Sequence, residues 1–166
     1  KIGEKGGAIK VITWVVKPFF SRLFPELPKN HPVFGSIMMN FSANMLGLDN
    51  AATPAGLKAM EGLQELNNEK EKASNSQIMF LVLNTSGLTL IPVSVLTVRA
   101  QQFAELGVKS NPANVFIPIL IATFIASLVG VLITAAFQKI KLKDWIIWAY
   151  IGGTIAAISG FIYWIT

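Results

Sequence analysis

The sequence has 166 residues, of which 52% are hydrophobic and 14% are charged, and it contains no cysteine. Because a soluble domain carries about 25% charged residues, this composition excludes a disordered tail and a disulfide-rich secreted module, and it argues against an ordinary soluble enzyme. The net charge of +5 arises from basic residues beside apolar segments and does not indicate a nucleic-acid partner. The sequence therefore predicts an all-α, polytopic integral membrane protein.

The first predicted region covers residues 1–32. Residues 8–24 are mostly apolar, with basic residues at near-helical spacing, which is typical of an amphipathic interfacial helix or of the end of a membrane span. Pro18 is expected to interrupt this helix because proline lacks a backbone donor. Three prolines within residues 25–32 predict a loop.

The second predicted region, residues 33–137, is a membrane domain with three segments long enough to cross a bilayer, since a transmembrane helix needs about 20 apolar residues. These segments are 33–57, 78–98 and 115–137. Residues 58–77 and 99–114 are polar connections. The third region, residues 138–166, is a basic loop followed by a further span over 145–165 with aromatic residues at both ends.

The first two membrane segments are interrupted by the same pattern, Asn-x-x-Gly-Leu followed by a proline, so we expect broken or re-entrant helices there. The breaks are predicted at Gly47, Pro54, Gly87 and Pro92. Irregular backbone at membrane depth persists only beside protein or a water-filled cavity, and paired interruptions are the best sequence indication of a binding site near the bilayer centre. Close packing of small residues between membrane helices is the alternative explanation.

The polar residues of these two segments form the candidate solute site. They are Asn44, Asp49, Asn50 and Thr53 from the first segment and Asn84, Thr85, Ser86 and Thr89 from the second. Amide and hydroxyl groups can bind a small polar solute through hydrogen bonds. The carboxylate of Asp49 would add charge or a coupling proton. A carboxylate at the centre of a span costs at least about 2.5 kcal/mol, so Asp49 is expected to be paired, protonated or solvated if segment 33–57 enters the membrane. If the segment only lies at the interface, Asp49 is an ordinary exposed residue.

We expect no catalytic residues, no metal site and no cofactor. The sequence has a single histidine, His31, and no cysteine, whereas a zinc site needs several such ligands. It also lacks the common nucleophile-elbow, phosphate-binding and dinucleotide-binding motifs. The protein is therefore expected not to be an enzyme.

Three stretches resemble the spore maturation protein A family. They are Leu-Phe-Pro-Glu-Leu-Pro-x-x-His-Pro at 23–32, Asn-x-x-Gly-Leu-x-Asn-Ala-Ala-Thr-Pro-x-Gly-x-Lys-Ala-Met at 44–60 and Leu-Asn-Thr-Ser-Gly-Leu-Thr-Leu-Ile-Pro at 83–92. That family belongs to the nucleoside-recognition or gate superfamily, which is similar to the gate regions of concentrative nucleoside transporters and ferrous-iron transporters. The resemblance covers residues 17–137 and implies a multi-pass protein of the bacterial inner membrane.

The resemblance leaves two functions open. The first is a transporter-like gate protein with a site near the bilayer centre for a small polar solute, nucleoside-like by family analogy alone. The alternative is a non-transporting structural subunit that pairs with a spore-maturation-B-like half or with a second copy of itself. Family members carry further apolar sequence upstream and this chain begins at Lys1 without a methionine, so we expect the natural chain to begin before Lys1. The span 145–165 lies beyond the usual end of the A protein, and one interpretation is that it is the junction of a fused A–B protein, of which this chain is the A-like half.

Overall fold

The computed structural model describes residues 8–28, 31–140 and 144–165, and every regular element in these ranges is a helix. In chain order they are α1 (Ala8–Leu23), α2 (Pro32–Met45), α3 (Asp49–Leu66), α4 (Asn75–Ser86), α5 (Val93–Glu105), a 3₁₀ turn (Pro112–Val115), α6 (Phe116–Phe137) and α7 (Trp145–Ile165). The all-α prediction is thereby confirmed for the described part of the chain.

Helix α1 continues through Pro18, so the expected interruption is wrong. The carbonyl of Pro18 accepts hydrogen bonds from Ser21 Oγ at 2.9 Å and from Arg22 Nη1 at 2.7 Å. The residues after Pro18 place one face in the core, where Phe20 and Leu23 are each only 1% exposed. Burial of such side chains stabilises a fold by about 1.5–3 kcal/mol each, which compensates the backbone hydrogen bond that a proline removes.

The hydrophobic core lies where α1, α2, α3 and α4 meet. The ring of Phe20 packs edge-on against the ring of Phe41, with the centroids 4.5 Å apart. The other large side chains of this core include Leu23, Phe24, Leu27, Phe34, Ile37, Met38, Met45, Leu63, Met79, Phe80 and Leu83. This core fixes the relative positions of α2, α3 and α4, which carry the predicted site residues.

Helices α2 and α3 form a closely packed antiparallel pair. Helix α2 ends in a Schellman motif, in which the N–H groups of Gly47 and Leu48 donate to carbonyls of the last helical turn at 3.0 and 2.9 Å. Gly47 has φ +64°, a conformation that suits glycine because it has no Cβ. At the other end of the pair a Cβ on Gly62 would overlap the side chain of Val33, so glycine allows the close approach of the two helices.

Helix α4 begins with a capping box and ends at a left-handed glycine. Ser74 Oγ accepts from the backbone N–H of Gln77 at 3.3 Å, and Gln77 Oε1 accepts from the backbone N–H of Ser74 at 2.8 Å. Gly87 follows α4 with φ +57°. Pro92 then precedes α5, which extends to Glu105, so the predicted polar connection over 99–114 begins inside a helix.

Helix α6, with its preceding 3₁₀ turn, is the one helix of the described ranges that is long and apolar enough to cross a membrane, and it agrees with the predicted span 115–137. The apolar stretch Trp145–Gly160 of α7 is shorter. Segments 33–57 and 78–98 are each divided between two helices. The domain division at residues 32 and 137 stays a prediction.

Helix α7 is attached to α1 by an ion pair and by aromatic contacts. Arg22 Nε donates to Asp144 Oδ2 at 2.6 Å. Asp144 also caps α7, because its Oδ1 accepts from the backbone N–H of Ile146 at 3.0 Å. One helical turn into α7, the ring of Tyr150 lies 5.6 Å from that of Phe19. Asp144 therefore connects two helices that are distant in the sequence.

We expect this connection to weaken in acid. The backbone N–H of Ile146, assisted by the Arg22 guanidinium, lowers the pKa of Asp144 below its usual value. A carboxyl whose pKa is depressed by folding stabilises the fold fully above its unfolded pKa, about 3.9, and loses that contribution as the pH falls through its folded pKa. Asp144→Asn should therefore lower the melting temperature at neutral pH, and its difference from the unmodified chain should vanish in acid.

The measurement is thermal unfolding of both chains in detergent micelles from neutral pH to about pH 2. The exposed Glu61 provides the control variant, Glu61→Gln, which should leave the melting temperature unchanged throughout. A constant difference between the Asp144→Asn and unmodified chains at every pH would contradict the ion pair and capping role.

Candidate functional site

The two predicted break regions contact each other in the structure. The carbonyl of Met45, at the end of α2, accepts hydrogen bonds from the backbone N–H groups of Leu90 at 2.8 Å and Ile91 at 3.2 Å. A Cβ on Gly47 would overlap the Ile91 carbonyl oxygen. The turn at 46–48 and the loop at 87–92 therefore pack backbone against backbone, although 40 residues separate their two glycines.

Three asparagines form a hydrogen-bonded cluster beside this contact. Asn44 Nδ2 donates to Asn84 Oδ1 at 2.9 Å and, with a longer distance of 3.4 Å, to Asn40 Oδ1. Asn40 is 4% exposed, and its Nδ2 donates to the carbonyl of Ala52 at 2.9 Å. The asparagine cluster, consisting of Asn40, Asn44 and Asn84, thus joins α2, α3 and α4 at one point.

Gly56 brings the backbone of α3 against the asparagine cluster. A Cβ at this position would lie 2.8 Å from Asn40 Nδ2 and 3.8 Å from Asn84 Nδ2. Real Cβ atoms do not approach a heavy atom as closely as the first of these distances. Any larger residue at position 56 would therefore displace the Asn40 amide from its acceptor on Ala52.

The predicted hydroxyl residues of the second segment follow Asn84 in the chain, and in the described part of the structure no hydrogen bond joins them to the cluster. The hydroxyls of Thr85 and Ser86 donate to carbonyls of their own helix at 2.9 and 3.2 Å. The backbone N–H of Thr89 donates to Thr123 Oγ1 at 3.4 Å, which connects the loop to α6. A hydroxyl that donates to a carbonyl can still accept hydrogen bonds, so these groups present acceptors.

The remaining predicted residues lie at the start of α3. The side chains of Asn50 and Thr53 are exposed. Asp49 is the first residue of α3, and its side chain lies outside the described part of the structure. Pro54 lies inside α3, so its assignment to a break is wrong. Gly47 ends α2 instead. Helix α3 continues through the proline, because the core packing of residues such as Leu63 offsets the lost hydrogen bond and the crowding of the Asn50 carbonyl that a proline causes.

Two residues of the site were not predicted. Asn40 precedes Asn44 by four residues, which places both on the same face of α2, and a second amide on that face of an apolar helix was an available signal. Gly56 carried no such signal, because its importance arises from the contact between α3 and the asparagine amides. The site is therefore smaller and more buried than the predicted set.

Comparison with known proteins places the chain in a family. The family described as Gate, nucleoside recognition, matches residues 1–101. Spore maturation protein A of Bacillus subtilis (strain 168) is 40% identical over 143 residues, which cover 86% of this chain and 70% of that protein. No solved structure matches. The chain belongs to the Gate nucleoside-recognition family, and the resemblance to spore maturation protein A is confirmed.

Proposed function

We propose that this chain is a transporter-like, multi-pass protein of the bacterial inner membrane, and that it binds a small, uncharged polar solute where α2, α3 and α4 meet. The observation that carries the proposal is the hydrogen bond of 2.9 Å between Asn44 and Asn84, the first asparagines of the two repeated patterns. The proposed role is non-enzymatic and needs no cofactor.

The chemistry of the cluster supports a neutral solute. Each amide offers two donors and one acceptor oxygen with two lone pairs, so a solute with both donors and acceptors could replace the contacts between the asparagines. The ends of α2 and α4 meet here, and helix C-termini present carbonyl oxygens with partial negative charge. These ends favour donor groups on the solute and disfavour an anion. The family description directs the choice of solute class to nucleosides, whose bases carry such donor and acceptor edges.

The membrane part of the proposal is supported by the apolar helices. Helix α6 is long and apolar enough to provide one span. Helix α7, whose apolar stretch Trp145–Gly160 is shorter, would provide a second. The pairs α2–α3 and α4–α5 would then enter the bilayer as broken or re-entrant segments with their interrupted ends in contact. This arrangement satisfies the rule that irregular backbone at membrane depth lies against protein.

A second candidate function is favoured by one observation, namely that Asn44 already donates to Asn84 and Asn40, and Asn40 to the Ala52 carbonyl. In that case the cluster holds α2, α3 and α4 together, and the chain acts as a structural subunit that pairs with a spore-maturation-B-like half or with a second copy. Polar contacts between membrane helices contribute only about 0.6 kcal/mol each on average, so such a subunit would depend on several of them.

The experiment measures binding of radiolabelled uridine to the full chain in lipid nanodiscs, together with labelling of single cysteines by a membrane-impermeant thiol reagent. The chain has no native cysteine, so cysteines at positions 44, 84 and 86 report directly on water access. We expect labelling at all three positions. Protection by uridine is expected at position 86, because a cysteine at 44 or 84 itself removes an amide of the asparagine cluster. Asn84→Ala should abolish binding, whereas Asn68→Ala, at an exposed loop asparagine, should not change it.

Gly56→Ala provides a sharper version of the same test, since it perturbs the cluster without removing an amide. It should weaken uridine binding, while Gly35→Ala, at a helical glycine with nothing within 4 Å of its added Cβ, should leave binding intact. If cysteines at 44, 84 and 86 stay unlabelled while one at the exposed position 70 reacts in opened vesicles, the solute site is refuted and the structural subunit is favoured. If adenosine blocks the labelling and uridine does not, adenosine replaces uridine as the proposed solute.

A further inference from the structure

Helix α5 has an outward face that nothing in the described structure covers. None of its residues is buried, and its main neighbour is the 3₁₀ turn at Pro112–Val115. Val95 and Val98 are 49% and 53% exposed. With the exposed Gln102 and Glu105 they follow one line along the helix, since residues three and four apart share a face. Along this outward face α5 therefore changes from apolar to polar.

Arg99 lies at the point where this change occurs. Its guanidinium carbon is 4.7 Å from the centroid of the Phe103 ring. The Nε atom is shielded from solvent and has no hydrogen-bond partner, and neither ion pair found among the described residues includes Arg99. The cation is thus partly desolvated without an anion from the protein, and partial desolvation strengthens its attraction to an external anion. A planar guanidinium that stacks on a ring keeps its edge donors in the geometry that binds phosphate.

The same boundary lies in the connection that follows α5. Exposed polar residues Lys109, Ser110 and Asn111 lie in it beside the exposed Leu106 and Val108, and α6 then presents an apolar outward line. This line consists of Ile121, Ile125, Val129, Ile133 and Phe137. Polar residues therefore concentrate between the apolar line of α5 and the apolar helix α6, which is the pattern expected where a chain leaves the hydrocarbon core of a bilayer and enters the headgroup layer.

We propose that Arg99 is an anchor for the phosphate of a lipid headgroup, and that Val95 and Val98 lie among the lipid chains below it. This inference rests on the membrane location in the proposed function. Arginine near the end of a membrane helix extends towards the interface to keep its charge in the headgroup layer. Anchoring α5 in this way holds the chain immediately after the loop 87–92, and so stabilises one side of the candidate site.

The test uses the full chain with nitroxide labels on single cysteines at position 98 and, separately, at position 125, in vesicles of phosphatidylethanolamine and phosphatidylglycerol. Accessibility of each label to oxygen and to a water-soluble nickel complex reports its depth. We expect both labels in the lipid chains. We call the label at 98 docked when it lies in the lipid chains and released when it is exposed to water. Arg99→Gln should lower the ratio of docked to released label by about fivefold and leave the label at 125 unchanged. Arg99→Lys should retain part of the effect, and Gln102→Ala, the matched control, should have none.

Each outcome has a separate meaning. A water-accessible label at 98 beside a deep label at 125 overturns the anchor and leaves the membrane proposal standing, whereas two water-accessible labels overturn both. No response to Arg99→Gln also overturns the anchor. Vesicles of a phosphate-free galactolipid should release the label at 98. If the label at 98 stays docked in galactolipid vesicles, or if inorganic phosphate alone restores its docking in them, lipid phosphate is excluded as the anion that Arg99 requires.

Discussion

Gly47→Ala should destabilise the protein markedly, and by more than the same substitution at Gly107. Both glycines have φ +64°, and both follow a helix that ends in a Schellman motif. An alanine in this left-handed conformation costs about 1–2 kcal/mol. At Gly107 nothing lies within 4 Å of the added Cβ, whereas at Gly47 the Cβ overlaps the Ile91 carbonyl. Forcing an atom into a packed position adds about 1–3 kcal/mol.

The comparison of these two variants isolates the contact between the break regions. For a chain of this size each kcal/mol lowers the melting temperature by about 2–4 °C, so thermal unfolding of the two purified variants in micelles can separate them. We also expect the Gly47→Ala chain to lose uridine binding under conditions where it remains folded. Equal melting temperatures for the two variants would show that the turn at 46–48 does not pack against the loop at 87–92.

Gly62→Ala should have the second large effect, through the packing of α2 on α3. Its added Cβ would overlap Val33 Cγ2 and lie 3.3 Å from Val33 Cβ. A β-branched side chain has one strongly preferred rotamer in a helix, so Val33 cannot easily turn away and the helices must separate. We expect a loss of about 1–3 kcal/mol in the free energy of unfolding, partly reduced by the better helix propensity of alanine.

A double-mutant cycle can show whether the overlap between the added Cβ at position 62 and Val33 causes the loss of stability. Val33→Ala alone leaves a small cavity and should also destabilise the protein. In the Gly62→Ala background, however, Val33→Ala removes the overlapping methyl groups and should raise the melting temperature. Additive losses in the double variant would contradict the close contact of Gly62 with Val33.

Much of the fold and part of the site followed from local sequence signals. The apolar length of residues 115–137, the prolines of 25–32 and the glycine of each Asn-x-x-Gly-Leu pattern are properties that act over one segment, so helix α6, the loop before α2 and the helix ends at Gly47 and Gly87 could be predicted. The repetition of the pattern also indicated that Asn44 and Asn84 belong to one candidate site, and the structure places Asn44 Nδ2 2.9 Å from Asn84 Oδ1.

The tertiary structure decided what depends on contacts between segments. Pro18 and Pro54 remain inside helices, because a helix that packs against its neighbours can lose one backbone hydrogen bond. Asn40 and Gly56 enter the site because α3 approaches α2 closely. The sequence by itself determined which segments are apolar and that helices end at Gly47 and Gly87. Only packing determined that the breaks face each other. The hydrogen bond from the N–H of Leu90 to the carbonyl of Met45, for example, joins residues that are far apart in the sequence, and no local pattern predicts such a contact.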